Sequence, residues 1–182
     1  MSFEIERKFL VAHDGWRAGA TEHSRLRQAY LTSEGKASIR VRIKDNRDAT
    51  LTIKSRGAEL RRLELEYAVP ILEAEALIPL RRGSIIEKVR HKVPFGGLIW
   101  EIDEFAGENA GLVIAELELS HEHQRVELPS WVGAEVTGQA EYYNRSPSGR
   151  FAPGQRRALR SEADAPASRQ LCWSASFRIR MG

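Results

Sequence analysis

The sequence predicts a mainly β domain with flanking helices, its strands forming an eight-stranded antiparallel closed barrel. Three observations point there. Segment after segment alternates charged and apolar residues at period two, the period of a strand with two unlike faces. Short turn signals join these segments, Asp45-Asn46-Arg47-Asp48 and Pro94-Phe95-Gly96-Gly97 among them, which suits up-and-down antiparallel order. The charges come as doublets of one sign, and like charges on neighbouring strands repel unless something between them compensates. A sheet closed with its ionised face inward provides room for such a compensating group. An open sheet with its charges in water also fits the alternation, but it gives no reason for doublets of one sign.

The first strand, over 3–11, sets the pattern: Glu4, Glu6 and Lys8 point one way, Phe3, Ile5 and Phe9 the other. Residues 12–24 read as loop or short helix, and 25–31 as the second strand. Residues 37–44 and 49–55 form a hairpin pair carrying Arg40, Arg42 and Lys54, and 60–69 a strand carrying Glu64 and Glu66. Pro70 opens a helix from Ile71 to about Ile78, with Ile71, Leu72, Ala74 and Leu77 on one side, and Pro79 ends it. Strands follow at 84–93 (Lys88, Arg90), 98–105 (Glu101, Asp103) and 112–119 (Glu116, Glu118). A short helix is expected around Ser120–Leu128, before Pro129. From Ser146 onward Ser, Pro, Gly, Ala and Arg dominate with no period, so the chain divides into a domain over 1–145 and a disordered or weakly structured tail over 146–182.

Composition narrows the function classes. No apolar run approaches the ~18 residues of a membrane span, and the N-terminus enters a charged strand directly, so neither membrane nor signal peptide is expected. One cysteine, Cys172, excludes an internal disulfide and suits a cytoplasmic setting. The pI of about 9.2 raises nucleic-acid binding. However, residues 146–182 hold seven Arg against two acids, and the body is near neutral, so no nucleic-acid partner is expected. His121 and His123 have no third ligand nearby and read as surface residues. Oligomeric state stays open, a homodimer included.

The chemistry available to a charged lumen is narrow. Carboxylates without His or Cys suit Mg²⁺ or Mn²⁺. Arg and Lys suit phosphate oxygens. Together they suit a metal-bridged polyphosphate, whose phosphoryl transfer needs positioning and charge neutralisation more than a protein nucleophile. No phosphate-binding glycine loop, dinucleotide motif or Ser-His-Asp arrangement stands out.

Glu4-x-Glu6-x-Lys8 resembles the signature of the CYTH superfamily, the triphosphate tunnel metalloenzymes. Arg40-x-Arg42, Thr52-x-Lys54, Glu64-x-Glu66, Glu87-Lys88-x-Arg90, Glu101-x-Asp103-x-Phe105 and Glu116-x-Glu118 follow in order over residues 3–144. The resemblance implies an eight-stranded tunnel with Glu4, Glu6, Glu64, Asp103, Glu116 and Glu118 toward a metal, Glu66 lining the same acidic wall. It implies that Lys8, Arg40, Arg42, Lys54, Lys88 and Arg90, with Arg62 beside them, hold a triphosphate. The small bacterial type is most similar, through Arg27-Gln28-Ala29-Tyr30-Leu31 and Asp103-Glu104-Phe105-Ala106-Gly107, and implies hydrolysis of inorganic triphosphate. A Tyr–Lys pair that matters in the thiamine triphosphatase branch would correspond to Tyr30 and Lys54, so Lys8, Tyr30 and Lys54 are the candidate catalytic groups. The same grip would serve class IV adenylate cyclases, organic triphosphatases or a polyphosphate- or nucleotide-binding module without turnover. One departure is local: Gln139-Ala140-Glu141 precedes Tyr142 where the family usually has a basic residue, and Pro147 follows.

Overall fold

The computed structural model describes residues 2–32, 34–55, 61–139 and Tyr142. Nine strands form one sheet: β1 (Ser2–Val11), β2 (Glu22–Thr32), β3 (Ala37–Lys44), β4 (Asp48–Ser55), β5 (Arg61–Ala68), β6 (Arg82–Phe95), β7 (Leu98–Phe105), β8 (Val113–Glu118) and β9 (Val132–Glu135). Their order is β5-β4-β3-β2-β6-β7-β8-β1-β9, and a β5–β1 pairing closes the first eight into an antiparallel barrel. The expected closed barrel is therefore present. β9 is an addition: β1 pairs with β8 over Glu6–Leu10, with β5 over Ser2–Ile5, and with β9 at Phe9 and Val11. Gly133 makes this short strand possible, because a Cβ there would stand 3.0 Å from the Leu10 carbonyl oxygen.

Hairpin chemistry explains the simple winding. Gly96 and Gly97, at φ 59° and 74°, form the two-residue loop between the paired Phe95 and Leu98. Asp45 and Asn46, at φ 51° and 53°, turn β3 into β4.

With the charged faces inward, the apolar faces point out and need cover. Ile5, Phe9, Val93, Trp100, Ile102 and Leu117 pack under Trp16, from the 3-10 turn Asp14–Gly19, and under Trp131. Ala29, Val41, Ile43 and Ala49 pack under the helix α1 (Ile71–Leu77) and the 3-10 turn Ile78–Leu80. A third cluster lies inside one end of the barrel, where Ile86, Phe105, Leu112 and Ile114 meet Leu10, Tyr30 and Tyr142.

Three expectations are corrected. Residues 120–128 form no helix: after a turn closed by Gln124 N–H on the His121 carbonyl, the chain runs irregularly to Pro129. Val126 packs on the core while Leu128 is half exposed, so this stretch has no helical apolar stripe to bury. Leu72 is 84% exposed; α1 buries Ala74 and packs Ile71 and Leu77 instead. β9 was not expected, because a four-residue segment with an interior glycine carries little strand signal. The expected tail over 146–182 lies outside the described residues. Among the described residues no helix is long and apolar enough to cross a membrane.

Candidate functional site

The inward faces converge because their neighbours are committed outward. Ile5 and Phe9 belong to the outer core, so Glu4, Glu6 and Lys8 must face the lumen, and a one-residue slip would bury the charges and expose the core. The lumen encloses a cavity of about 700 Å³. Basic residues come from β3 (Arg40, Arg42) and β6 (Lys88, Arg90), with β2 lying between these strands. Acidic residues come from β1 (Glu4, Glu6), β5 (Glu64, Glu66), β7 (Glu101) and β8 (Glu116, Glu118). Lys8, Lys54 and Arg62 are interleaved among the acids.

A web of ion pairs joins the two sets. Lys8 Nζ stands 2.8 Å from Glu6 Oε1 and also pairs with Glu116. Arg62 lies 3.4 Å from Glu6. Lys54 pairs with Glu4 and lies 3.6 Å from Glu64. Arg40 donates to Thr52 Oγ1 at 3.1 Å, and Thr52 donates in turn to Glu66 at 2.9 Å. Arg90 pairs with Glu101, Glu116 and Asp103, and Lys88 pairs with Asp103. Arg42 stands apart, with no ion pair or hydrogen bond to the described residues.

Protonation equilibria show where charge is left uncompensated. Burial, with Arg40 and Arg90 adding repulsion, pushes the Arg42 guanidinium down to about 10. Burial likewise pushes Lys88 down to about 8, against the pull of Asp103. On the acidic side, burial and the neighbouring Glu64 carboxyl raise Glu4 from its ordinary value, with Lys54 opposing. Burial and the charges of Glu4, Glu101 and Glu6 raise Glu118 as well. Glu116 behaves oppositely. Burial alone would raise it, but Lys8, Arg90 and Lys88 hold it well below the usual range. The cavity thus has a more basic side, where Arg42 lies outside ion-pair reach of the described carboxylates, and a more acidic side, into which Lys8, Lys54 and Arg62 reach.

Every expected substrate-binding residue lines the cavity: Lys8, Arg40, Arg42, Lys54, Arg62, Lys88 and Arg90. So do Glu4, Glu6, Glu64, Glu116 and Glu118 among the expected metal ligands, and Tyr30 among the expected catalytic groups. Asp103 does not; it is fully buried behind the wall, bound to Lys88 and Arg90. Lys54 and Tyr30 share the cavity but no hydrogen bond, and the Tyr30 hydroxyl has no partner among the described residues. Ser38 and Ile99 line the cavity without having been singled out, and Thr52 and Glu101, quoted in the strand motifs, line it without having been given a role. A role for Glu101 could have been read from its place two residues from Asp103 on the same face. No three acids among the described residues converge closely enough to form a ready-made metal cluster.

A CYTH domain model matches residues 2–149. The chain belongs to the CYTH domain family. Within that family it is similar to an inorganic triphosphatase of Acetivibrio thermocellus, 42% identical over 145 residues covering 79% of this chain and 92% of the relative. It is also similar to an inorganic triphosphatase of Nitrosomonas europaea, 38% identical over 148 residues covering 79% and 95%. Among solved structures, the crystal structure of an inorganic triphosphatase superposes with a TM-score of 0.60 at 32% identity, covering 84% of this chain and 97% of that one. The CYTH match spans every charged doublet described above, so the ion-pair web lies wholly inside the family domain.

Proposed function

We propose that this chain hydrolyses inorganic triphosphate inside its tunnel, giving pyrophosphate and phosphate. The observation that carries the reading is Arg42, half-buried and without an ion pair to the described residues beside Arg40, Arg90 and Lys88, in a cavity whose other side is lined by carboxylates. An anion with several charges would satisfy the basic side and a hard divalent cation the acidic side. The named activity of the two curated relatives agrees with that pairing.

In this reading Arg40, Arg42, Lys88 and Arg90 grip the phosphate oxygens, with Lys8, Lys54 and Arg62 reaching from the acidic side. The donor set fits a hard divalent cation: carboxylate oxygens alone, two of them on acids whose charge the protein leaves poorly compensated. Glu4, Glu6, Glu64, Glu116 and Glu118 would hold Mg²⁺ or Mn²⁺, which supplies charge neutralisation at the phosphoryl oxygens. Asp103 would act through Arg90 and Lys88 rather than as a direct ligand. Water attacks the terminal phosphorus, the anhydride P–O bond breaks, and pyrophosphate leaves. Tyr30 and Lys54 would orient that water, and Lys8 would steady charge on the reacting phosphoryl group.

A nucleotide or thiamine triphosphate would need room for its organic group. A second cavity of about 180 Å³ adjoins the first through Arg42 and Arg90, but among the described residues Leu26 is its only aliphatic lining residue, beside His23, Lys44, Lys92 and several acids. That lining favours an inorganic substrate. The test is phosphate release from tripolyphosphate, ATP and thiamine triphosphate with Mg²⁺ and Mn²⁺, with cyclic and linear products separated. Metal-dependent release that is fastest from tripolyphosphate is expected. Folded protein that releases none would overturn the reading, and binding without turnover would select a binding module instead.

A further inference from the structure

One buried polar side chain in the tunnel wall takes no part in the ion-pair web. Gln28 sits on β2, between the two basic strands, and is 0% exposed. It stands directly opposite Arg42 on β3 and opposite Ile86 on β6, so its side chain shares the inward face with Arg42. Among the described residues neither its amide nitrogen nor its amide oxygen has a hydrogen-bond partner, and Arg42 Nε is buried and without a hydrogen-bond partner among them too. Directly opposed residues on antiparallel strands bring their Cβ atoms within about 5.5 Å, which puts the amide oxygen within reach of that Nε–H.

An orphaned buried amide is costly, and Leu at this position would pack on Ile86 without that cost. The amide therefore points to a use in a loaded state. Arg90 is aimed by its two-point contact with Asp103, whereas Arg42 has no carboxylate to aim it. A guanidinium that must present its Nη groups to phosphate gains direction when Nε is anchored from behind.

We propose that Gln28 is a positioning residue for Arg42: its Oε1 accepts the Arg42 Nε–H once a triphosphate anion occupies the tunnel, fixing the direction of the fork. This rests on the anion site proposed above and adds to it a residue outside the charged set.

The experiment uses Gln28→Leu, Arg42→Lys (which removes Nε) and the double variant in the full chain. Tripolyphosphate binding is measured by calorimetry in EDTA, thermal melting without ligand, and steady-state kinetics with Mg²⁺. Gln28→Leu should melt no lower than wild type yet bind tripolyphosphate on the order of tenfold more weakly, with KM rising and kcat little changed. In the Arg42→Lys background the same change should have no further effect. Wild-type affinity in Gln28→Leu, an equal loss in both backgrounds, or weakened binding accompanied by a lower melting temperature would each overturn the proposal. If wild type binds no tripolyphosphate, the anion site falls with it; if wild type binds and Gln28→Leu matches it, only the role of Gln28 falls.

Discussion

Arg90 and Asp103 stand opposite one another on β6 and β7 and share two hydrogen bonds of 2.7 Å, Nε to Oδ1 and Nη2 to Oδ2. Lys88 donates to Oδ2 of the same fully buried carboxylate. The acid thus supports the basic wall from behind. Asp103→Ala would leave the buried Lys88 without its ion pair and Arg90 with one partner fewer, and should destabilise the protein by roughly 3–5 kcal/mol in urea unfolding. Asp103→Asn should cost less and raise KM for tripolyphosphate more than it raises the metal requirement. The reverse order would mark Asp103 as a direct metal ligand.

Acid should unfold the metal-free protein in a defined window. Burial pushes Asp103 and Glu116 up, yet the surrounding cations hold both below the ordinary carboxylate value. The unfolded chain then takes up protons that the folded chain refuses. This stabilisation is complete above about pH 4 and is lost as pH falls through the depressed folded values. Glu4 and Glu118 are raised, so their charge costs stability at neutral pH and mild acidification relieves it. Urea midpoints in EDTA should therefore peak on the acid side of neutrality and fall steeply below about pH 4. A midpoint that declines steadily from pH 7 would contradict the assigned shifts.

Glu116 accepts from both Lys8 and Arg90, so it couples the acidic and basic poles. Glu116→Gln keeps the shape and removes the charge. The expected outcome is a half-saturating Mn²⁺ concentration raised by at least ~10-fold and a kcat lowered by about 100-fold, with the far-ultraviolet spectrum unchanged. Turnover within twofold of wild type would remove Glu116 from the metal set.

The ninth strand lies on β1 with one close approach, at Gly133. Gly133→Val would drive a Cβ to 3.0 Å from the Leu10 carbonyl oxygen and push β9 off β1. It would also strain the Lys8 carbonyl, which accepts the Val136 N–H at 2.8 Å. We expect a stability loss of about 1–3 kcal/mol by denaturant titration, with faster exchange of the Val136 amide. Unchanged exchange would mean that β9 accommodates the side chain.

Much of this was legible along the chain because a strand writes its two environments into alternate residues. Glu4, Glu6 and Lys8 could be assigned to one face from spacing alone, and the Gly96-Gly97 hairpin from turn chemistry. The irregular path over 120–128 and the strand β9 were not legible. Their conformations depend on single contacts, Gln124 capping the nearby Ser120 N–H and the remote Leu10 accepting a residue without a side chain, rather than on a repeating period.

The sequence by itself determined which residues share one face of the sheet and that both signs of charge meet on it, because a period of two separates charged from apolar residues. Only the tertiary structure decided which of those charges cancel. Asp103 is consumed behind Arg90, while Arg42 remains unpaired beside the fully buried Gln28. Ion pairing depends on distances across strands remote in the chain, Lys8 to Glu116 and Arg62 to Glu6, and spacing within a single strand carries no record of them.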